Sequence, residues 1–234
     1  PPHPLPGRGP DLGWPPPRPA QVDTPGVEEG RRATVAIQSI GVGCNGIITG
    51  SGFPIRSNQV LTNAHVVAGT KNTVVVLADG KRRAATVILF DPAIDVAILN
   101  VPGLNLTVLP QAGADRGTQG AAIGYPGGQS LTVSPAVVDE IINANGRDIY
   151  NENLVTRQVF VIDSITATGG PGVQPGNSGG PLVDLQGNVL GVVFAASTTE
   201  ASRAYALTDQ EVAPDERAAE GRTGPVDVGN RCAV

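Results

Sequence analysis

His65, Asp95 and Ser178 have the residue types, in order, for nucleophilic attack on a carbonyl carbon. A serine hydroxyl is a poor nucleophile until an imidazole accepts its proton, and the imidazole needs a carboxylate to fix its tautomer. Ser178 lies in Gly176-Asn177-Ser178-Gly179-Gly180-Pro181, where flanking glycines let the backbone turn tightly and let another chain approach. Such a turn would aim the N–H groups of Gly176 and Ser178 at one point and form an oxyanion hole. One donor of that kind typically contributes about 2.7–4 kcal/mol in the transition state. The chain has 2 histidines, and His3 sits in a proline-rich stretch, so His65 in Thr62-Asn63-Ala64-His65 is the base the folded part can offer. Asp95 leads into apolar Val96-Ala97-Ile98-Leu99, where a carboxylate at a strand mouth can face a cleft. Its rival Asp91 precedes Pro92 and has the form of a turn start.

Chain order separates the folds that carry such a constellation. Gly176-x-Ser178-x-Gly180 also fits the nucleophile elbow of an α/β-hydrolase, but that fold runs Ser, Asp, His, and no histidine follows Ser178. Before His65 the only aspartates are Asp11 and Asp23, both in the proline-rich lead-in, so the subtilisin order Asp, His, Ser also fails. The chymotrypsin order His, Asp, Ser survives.

The elements that must position these residues read as strands. From residue 33 onward short β-branched runs alternate with Gly/Asn/Asp turns, and helical periodicity is absent until the end. Six runs, Thr34–Ile40, Ile47–Ile55, Val60–Asn63, Thr73–Leu77, Ala84–Phe90 and Val96–Val101, precede a polar, Gly-containing break at Gln111–Gly120. A second set follows: Ala121–Tyr125, Leu131–Ile142, Arg157–Ser164, Gly180–Asp184, Val189–Ala195 and Ser202–Leu207. Ala78-Asp79-Gly80-Lys81 predicts a hairpin turn through its Asp-Gly. Two groups of six strands fit an all-β fold of two packed six-stranded antiparallel β-barrels. Thr208-x-x-Glu211 has capping-box spacing and opens a C-terminal helix to about Ala219.

Together, Thr62-Asn63-Ala64-His65-Val66-Val67, Asp95-Val96-Ala97-Ile98-Leu99 and Pro175-Gly176-Asn177-Ser178-Gly179-Gly180-Pro181-Leu182 resemble the trypsin-like serine proteases of the high-temperature-requirement (HtrA) type. The resemblance covers residues 31 to 234, with His65, Asp95 and Ser178 spaced 30 and 83 positions apart. The proline-rich lead-in and a cysteine near each end of the domain are similar to the membrane-anchored acid-resistance serine proteases of mycobacteria and related actinobacteria. It implies a chymotrypsin-like double barrel and an extracytoplasmic endopeptidase, periplasmic or in the cell envelope, hydrolysing peptide bonds through a His-Asp-Ser triad and an acyl-enzyme, in envelope stress or acid resistance. By motif alignment the floor of the substrate pocket comes from Gly172 and its wall from Phe194-Ala195-Ala196. No acidic residue appears there, so a preference for Lys or Arg is disfavoured and a small or apolar residue is expected at P1. Asn177 departs from the digestive enzymes, where an aspartate pairs with a newly cut N-terminus. An amide cannot make that ion pair, so the Thr166–Pro175 loop must be ordered another way. The second function class is a catalytically silent barrel serving as a peptide-binding or scaffold module.

The remaining composition sets limits. Of 21 prolines, ten fall within residues 1–25, and Pro15-Pro16-Pro17 favours polyproline II, so residues 1–30 are expected to be a linker. Residues 31–116 then form the first barrel and 117–234 the second, with the terminal helix. No apolar run approaches membrane-spanning length and there is no initiator methionine, so the chain is expected to have been cut from something longer; the resemblance implies that the missing part is a membrane anchor. A mobile linker also predicts self-cleavage near Val22–Val27, where proline density drops. Net charge is −5, and nucleic-acid binding is excluded for want of a basic face and stacking aromatics. Two cysteines and one histidine outside the lead-in cannot build an ordinary zinc site, so no metal or cofactor is expected. In an extracytoplasmic setting Cys44 and Cys232 are expected to form a disulfide, with two separate thiols as the alternative. Protein or peptide substrates are the partners implied.

Overall fold

The computed structural model describes residues 21–41, 46–166 and 168–233. Twelve strands form two closed antiparallel barrels, in the spatial orders β1-β2-β3-β6-β5-β4 and β10-β11-β12-β9-β8-β7. The first comprises β1 (Val35–Gly41), β2 (Ile47–Arg56), β3 (Gln59–Thr62), β4 (Thr70–Val76), β5 (Arg82–Asp91) and β6 (Val96–Asn100). The second comprises β7 (Gln119–Gly124), β8 (Thr132–Arg147), β9 (Leu154–Ser164), β10 (Pro181–Asp184), β11 (Val189–Ala196) and β12 (Arg203–Thr208). The strands fall where alternating β-branched runs predict them. The Asp79-Gly80 turn closes the β4–β5 hairpin with Gly80 at φ 80° and the Lys81 N–H donating to Asp79.

Each barrel has its own apolar filling. Val35, Ile37, Val60, Val75 and Leu99 pack inside the first, and Val138, Phe160, Ile162, Leu182 and Leu190 inside the second. A third cluster cements the two, with Phe53, Leu61 and Ile98 from the first barrel against Ile123, Val192 and Leu207 from the second. Full burial of each such side chain is worth about 1.5–3 kcal/mol, so the seam between the barrels is stabilised by the same means as their interiors. Residues that face one another across that seam are therefore held in fixed relation.

The chain ends depart from expectation. Helix α1 (Pro25–Ala33) occupies part of the supposed linker, and Val22, Val27 and Ala33 are buried. Thr24 Oγ1 caps the Val27 N–H, Pro25 stands at the first helical position, and Glu28 pairs with Arg31 and Arg32. The linker limit at residue 30 is thus corrected. Of the stretch where a cut is expected, Pro25–Val27 belong to this helix, while Val22–Thr24 precede it. Residues 1–20 lie outside the described residues.

Helix α1 precedes the first barrel but packs on the second. A Cβ on Gly30 would come 2.9 Å from the Ile123 side chain, and one on Gly26 2.2 Å from the Gln186 backbone. The C-terminal segment crosses the other way, with the Val226 N–H bonded to Val87 O and the Gly69 N–H to Val228 O on the first barrel. A cut of the chain at 116/117 therefore separates neither end cleanly. Helix α2 (Asp209–Ala218) starts at its predicted cap, Thr208 Oγ1 accepting from the Glu211 N–H. Only that half of the capping box forms, since Glu211 Oε2 instead accepts the Gln158 N–H on β9.

Candidate active site

His65 occupies a 3-10 turn, Ala64–Val66, directly after β3. Asp95 ends the turn between β5 and β6. Asp95 Oδ2 lies 2.7 Å from His65 Nδ1, and its Oδ1 accepts the His65 backbone N–H at 2.9 Å. One carboxylate thus holds both ring and backbone of the histidine. Asp95 takes φ 67°, a left-handed conformation that a non-glycine residue keeps only when its surroundings over-determine it. Part of that constraint is the Asn63 side-chain amide, which donates to Asp95 O at 2.8 Å. Asp91 is spent within its own turn, where its Oδ1 accepts the Ala93 and Ile94 N–H groups.

The His65 side chain is 28% exposed and that of Asp95 only 7%. Burial of the imidazole disfavours its charge. The Asp95 carboxylate outweighs this by charge and hydrogen bond, so the His65 pKa is raised above its ordinary 6.5.

Ser178 lies in the turn before β10, partly exposed between buried Asn177 and buried Gly179. Gly176 at φ 101° and Gly179 at φ 84° give the turn its shape, and both positions are closed to a side chain. A Cβ on Gly176 would meet Tyr125 O at 2.4 Å, and one on Gly179 would meet Ser51 O at 2.2 Å and Thr62 Oγ1 at 2.3 Å. Gly50 is likewise wedged between the Val66 side chain and Ser178 O. These close approaches seat the serine turn directly against residues 62–66, which carry the histidine. Neither the Gly176 nor the Ser178 N–H donates a hydrogen bond among the described residues, which leaves both available to an incoming oxygen.

Asn177 orders its own loop. Its Oδ1 accepts the Gln174 N–H at 3.1 Å, its N–H donates to Gln174 O, and its carbonyl accepts the Gly180 N–H. No ion pair is involved, in keeping with an amide at this position.

A cleft of about 530 Å³ opens beside the histidine, bordered by His65, Asp95, Phe194 and Ala195. Gly172 does not border it and is buried against the Ser164–Ile165 backbone, to which its N–H is bonded, while Ala196 is exposed at the end of β11. Beyond Val192, β11 has β12 on one side only, with Val193 bonded to Gly179 and Gly180 in the serine turn. Cys232 also borders the cleft and is not a free thiol; Cys44 lies outside the described residues.

Sequence reasoning passed over two features. Ser51, fully buried on β2, accepts the Tyr125 N–H and donates from Oγ to Gly176 O (2.7 Å), while its backbone N–H donates to Ser178 O at 2.8 Å. It clamps the serine turn from the other barrel, and its glycine-flanked setting Gly50-Ser51-Gly52 was the available signal. Arg147 and Arg157 also border the cleft, and nothing in their polar hairpin marked them.

The family model described as a trypsin-like peptidase domain matches residues 50–192. Serine protease Rv3671c of Mycobacterium tuberculosis is 43% identical over 216 residues, 91% of this chain and 52% of that protein. A probable periplasmic serine endoprotease, DegP-like, of Hahella chejuensis is 37% identical over 148 residues, 62% of this chain and 29% of that one. The chain thus spans about half, or less, of the length of these curated relatives. Among solved structures, the active form of the Rv3671c protease superposes with a TM-score of 0.88 at 41% identity, covering 99% of both chains. The inactive form gives 0.74 at 41% identity, covering 88% of this chain and 98% of that one. With its double barrel and these matches, the chain belongs to the trypsin-like peptidase family, in its HtrA-like, chymotrypsin-fold branch.

Proposed function

We propose that this chain is a serine endopeptidase in which His65, Asp95 and Ser178 act as one unit. The observation that carries the reading is the double grip of Asp95 on His65, at 2.7 and 2.9 Å, beside a glycine-built serine turn. With Nδ1 held by the carboxylate, Nε2 is the free acceptor for the Ser178 proton. Ser178 Oγ attacks the substrate carbonyl as its proton passes to Nε2, and the N–H groups of Gly176 and Ser178 receive the oxyanion. Collapse breaks the C–N bond while Nε2 returns the proton to the departing amine and leaves an acyl-Ser178. Water, deprotonated by the same nitrogen, then releases the acid and restores the serine. The open edge of β11 at Phe194–Ala196 supports docking of an extended substrate strand there. Phe194 and Ala195, which border the cleft, remain the candidate wall for a small or apolar P1 side chain, while Gly172 and Ala196 stand away from it.

Superposition over the whole chain with a relative described as an active form supports an assembled geometry. An extracytoplasmic setting is supported by a relative named as periplasmic, and the pairing of Cys232 with Cys44 by a chain that has only 2 cysteines. A membrane anchor and a role in envelope stress or acid resistance rest on the resemblance of motifs and lead-in. Cleavage of its own lead-in near Val22–Val27 belongs to this reading, with α1 having to unfold where the cut falls beyond Thr24.

Reaction with a fluorophosphonate probe, mapped by peptide mass, tests the reading. Label on Ser178 that disappears in Ser178→Ala and falls sharply in His65→Ala is expected. An unlabelled, well-folded wild-type chain would leave the silent scaffold instead.

A further inference from the structure

The β8–β9 hairpin of the second barrel reaches across to the turn that carries Asp95 in the first. Arg157 on β9 is 7% exposed, and its Nη2 donates to Ala93 O at 2.5 Å and to Arg147 O at 3.0 Å. Ala93 stands two residues before Asp95. A second strut runs in parallel, from the Ile149 N–H to Pro92 O at 3.3 Å. The guanidinium borders the same cleft as His65 and Asp95, and its Nε is buried without a hydrogen-bond partner.

A cation is a costly way to satisfy two backbone carbonyls. Desolvation of a guanidinium costs several times more than that of an amide, and a neutral donor would serve the same oxygens. Burial does pull the Arg157 pKa down, and the negative charges of Asp95, Asp148, Glu211 and Asp91 oppose it. The charge therefore has a use that the hydrogen bonds alone do not explain.

We propose that Arg157 is a positioning residue for the Asp95–His65 pair, fixing the turn that holds Asp95 in its left-handed conformation and placing a permanent positive charge beside the carboxylate. The inference rests on the hydrolase reading above. Without the bond to Ala93 the turn is free to relax, and Asp95 with it. The charge has a separate effect. Asp95 draws a proton onto His65, and a neighbouring cation weakens that pull. The groups facing Arg157 are Asp91 and Asp95 from the turn, Asp148 from the hairpin tip, Glu211 from α2, and Arg147 alongside, with His65 across the cleft. Removing the buried cation leaves the carboxylates less balanced. The imidazolium is then held more firmly, and a higher pH is needed to free the base.

The test compares kcat/KM of a peptide substrate over about pH 5 to 9 for wild type, Arg157→Met and Arg157→Lys, with fluorophosphonate titration counting competent sites. Arg157→Met is expected to lose about 10–100-fold in kcat per titrated site, as for a small misplacement of catalytic groups, with KM little changed. Its acid limb should move to higher pH by about half a unit or more. Arg157→Lys keeps the charge and should bring the limb back while restoring only part of kcat. Should Arg157→Met fail to fold, Arg157→Gln carries the same test, keeping a donor for Ala93 but no charge. A lower melting temperature and fewer titratable sites with the limb unmoved would mark Arg157 as merely structural and overturn the proposal. A wild type that neither reacts with the probe nor cleaves peptide would remove the hydrolase reading, and this inference with it.

Discussion

The histidine side and the serine side of the site are held by different kinds of bond. On the first barrel, His65 and Asp95 are joined side chain to side chain, and one carboxylate sets ring, tautomer and backbone together. On the second, the serine turn is held by its backbone, with two glycines at positive φ and Ser51 clamping the carbonyls of Gly176 and Ser178. The first arrangement contains a titrating group and depends on charge. The second depends on shape, since among the described residues no ionisable side chain bonds to the turn. The pair should therefore answer to pH and to isosteric amides, and the turn to lost volume and lost backbone partners.

The largest expected effect is common to both sides. Ser178→Ala should reduce kcat by about 10⁶-fold, and His65→Ala nearly as much, because in the proposed mechanism the two act as one unit. The melting temperature of Ser178→Ala should stay near that of wild type, since the change removes one oxygen from a loop. A tenth of wild-type turnover surviving in that variant would sink the triad.

Next comes the carboxylate. Asp95→Asn should cost about 10⁴-fold in kcat by favouring the wrong tautomer. Asp91→Asn should cost far less, because Asp91 only caps its own turn. Equal losses measured on a common peptide would mean that the turn as a whole, and not the Asp95 contact, governs the pair.

Ser51→Ala probes the serine side. It leaves Gly176 O without its donor and the Tyr125 N–H without its acceptor, both buried, at a cost of about 1–3 kcal/mol in stability. A relaxed turn should also lower kcat by about 10–100-fold. Because the turn carries no charge, the pH profile should keep its shape. A shifted acid limb in Ser51→Ala would show that the two sides are not independent.

The wild-type pH profile sharpens the contrast further. The proposed mechanism needs neutral His65, whose pKa is raised, so kcat/KM should rise with a midpoint above 6.5. Stability runs the other way. A raised folded-state pKa contributes stability fully present below 6.5 and lost as pH climbs through the folded value. Activity without histidine control, flat from pH 5 to 7, would contradict the role assigned to Asp95.

The smallest effect is expected at Asp215 on α2. Burial, with Asp91 and Glu211 adding to it, raises the Asp215 pKa to about 6 from 3.8. The associated stability is present below 3.8 and lost as pH rises through 6, so the ionised form strains the helix near neutrality. Asp215 remains partly exposed, and screening reduces the penalty to about 1 kcal/mol. Asp215→Asn should gain that amount at pH 8 and almost nothing at pH 3, read from denaturant midpoints.

Much of this molecule was legible in the residues. Alternating β-branched runs announce twelve strands because a barrel wall needs one face apolar, and they predict their positions to within a few residues. The exception is the β8–β9 hairpin, which continues five residues past Ile142, to Arg147, through a polar stretch of weak strand preference. Helix α1 was hidden by its own start signals. Thr24-Pro25-Gly26 reads as linker by composition, although a threonine cap followed by proline at the first helical position is also a helix opening.

The sequence by itself determined the kind of chemistry proposed, because only one histidine outside the lead-in can serve Ser178 and, of the three chain orders weighed, His, Asp, Ser fits only the double barrel. It also set the turn chemistry, since glycine alone tolerates the φ values at 176 and 179. Tertiary structure decided which carboxylate meets the histidine, that Ser51 clamps the serine turn from the opposite barrel, and that Arg157 stands behind Asp95. Those contacts join residues 30 to 127 positions apart, through strands whose neighbours along the chain carry no trace of the partner. Local propensity cannot encode them; only the closure and mutual packing of the two barrels bring them into register.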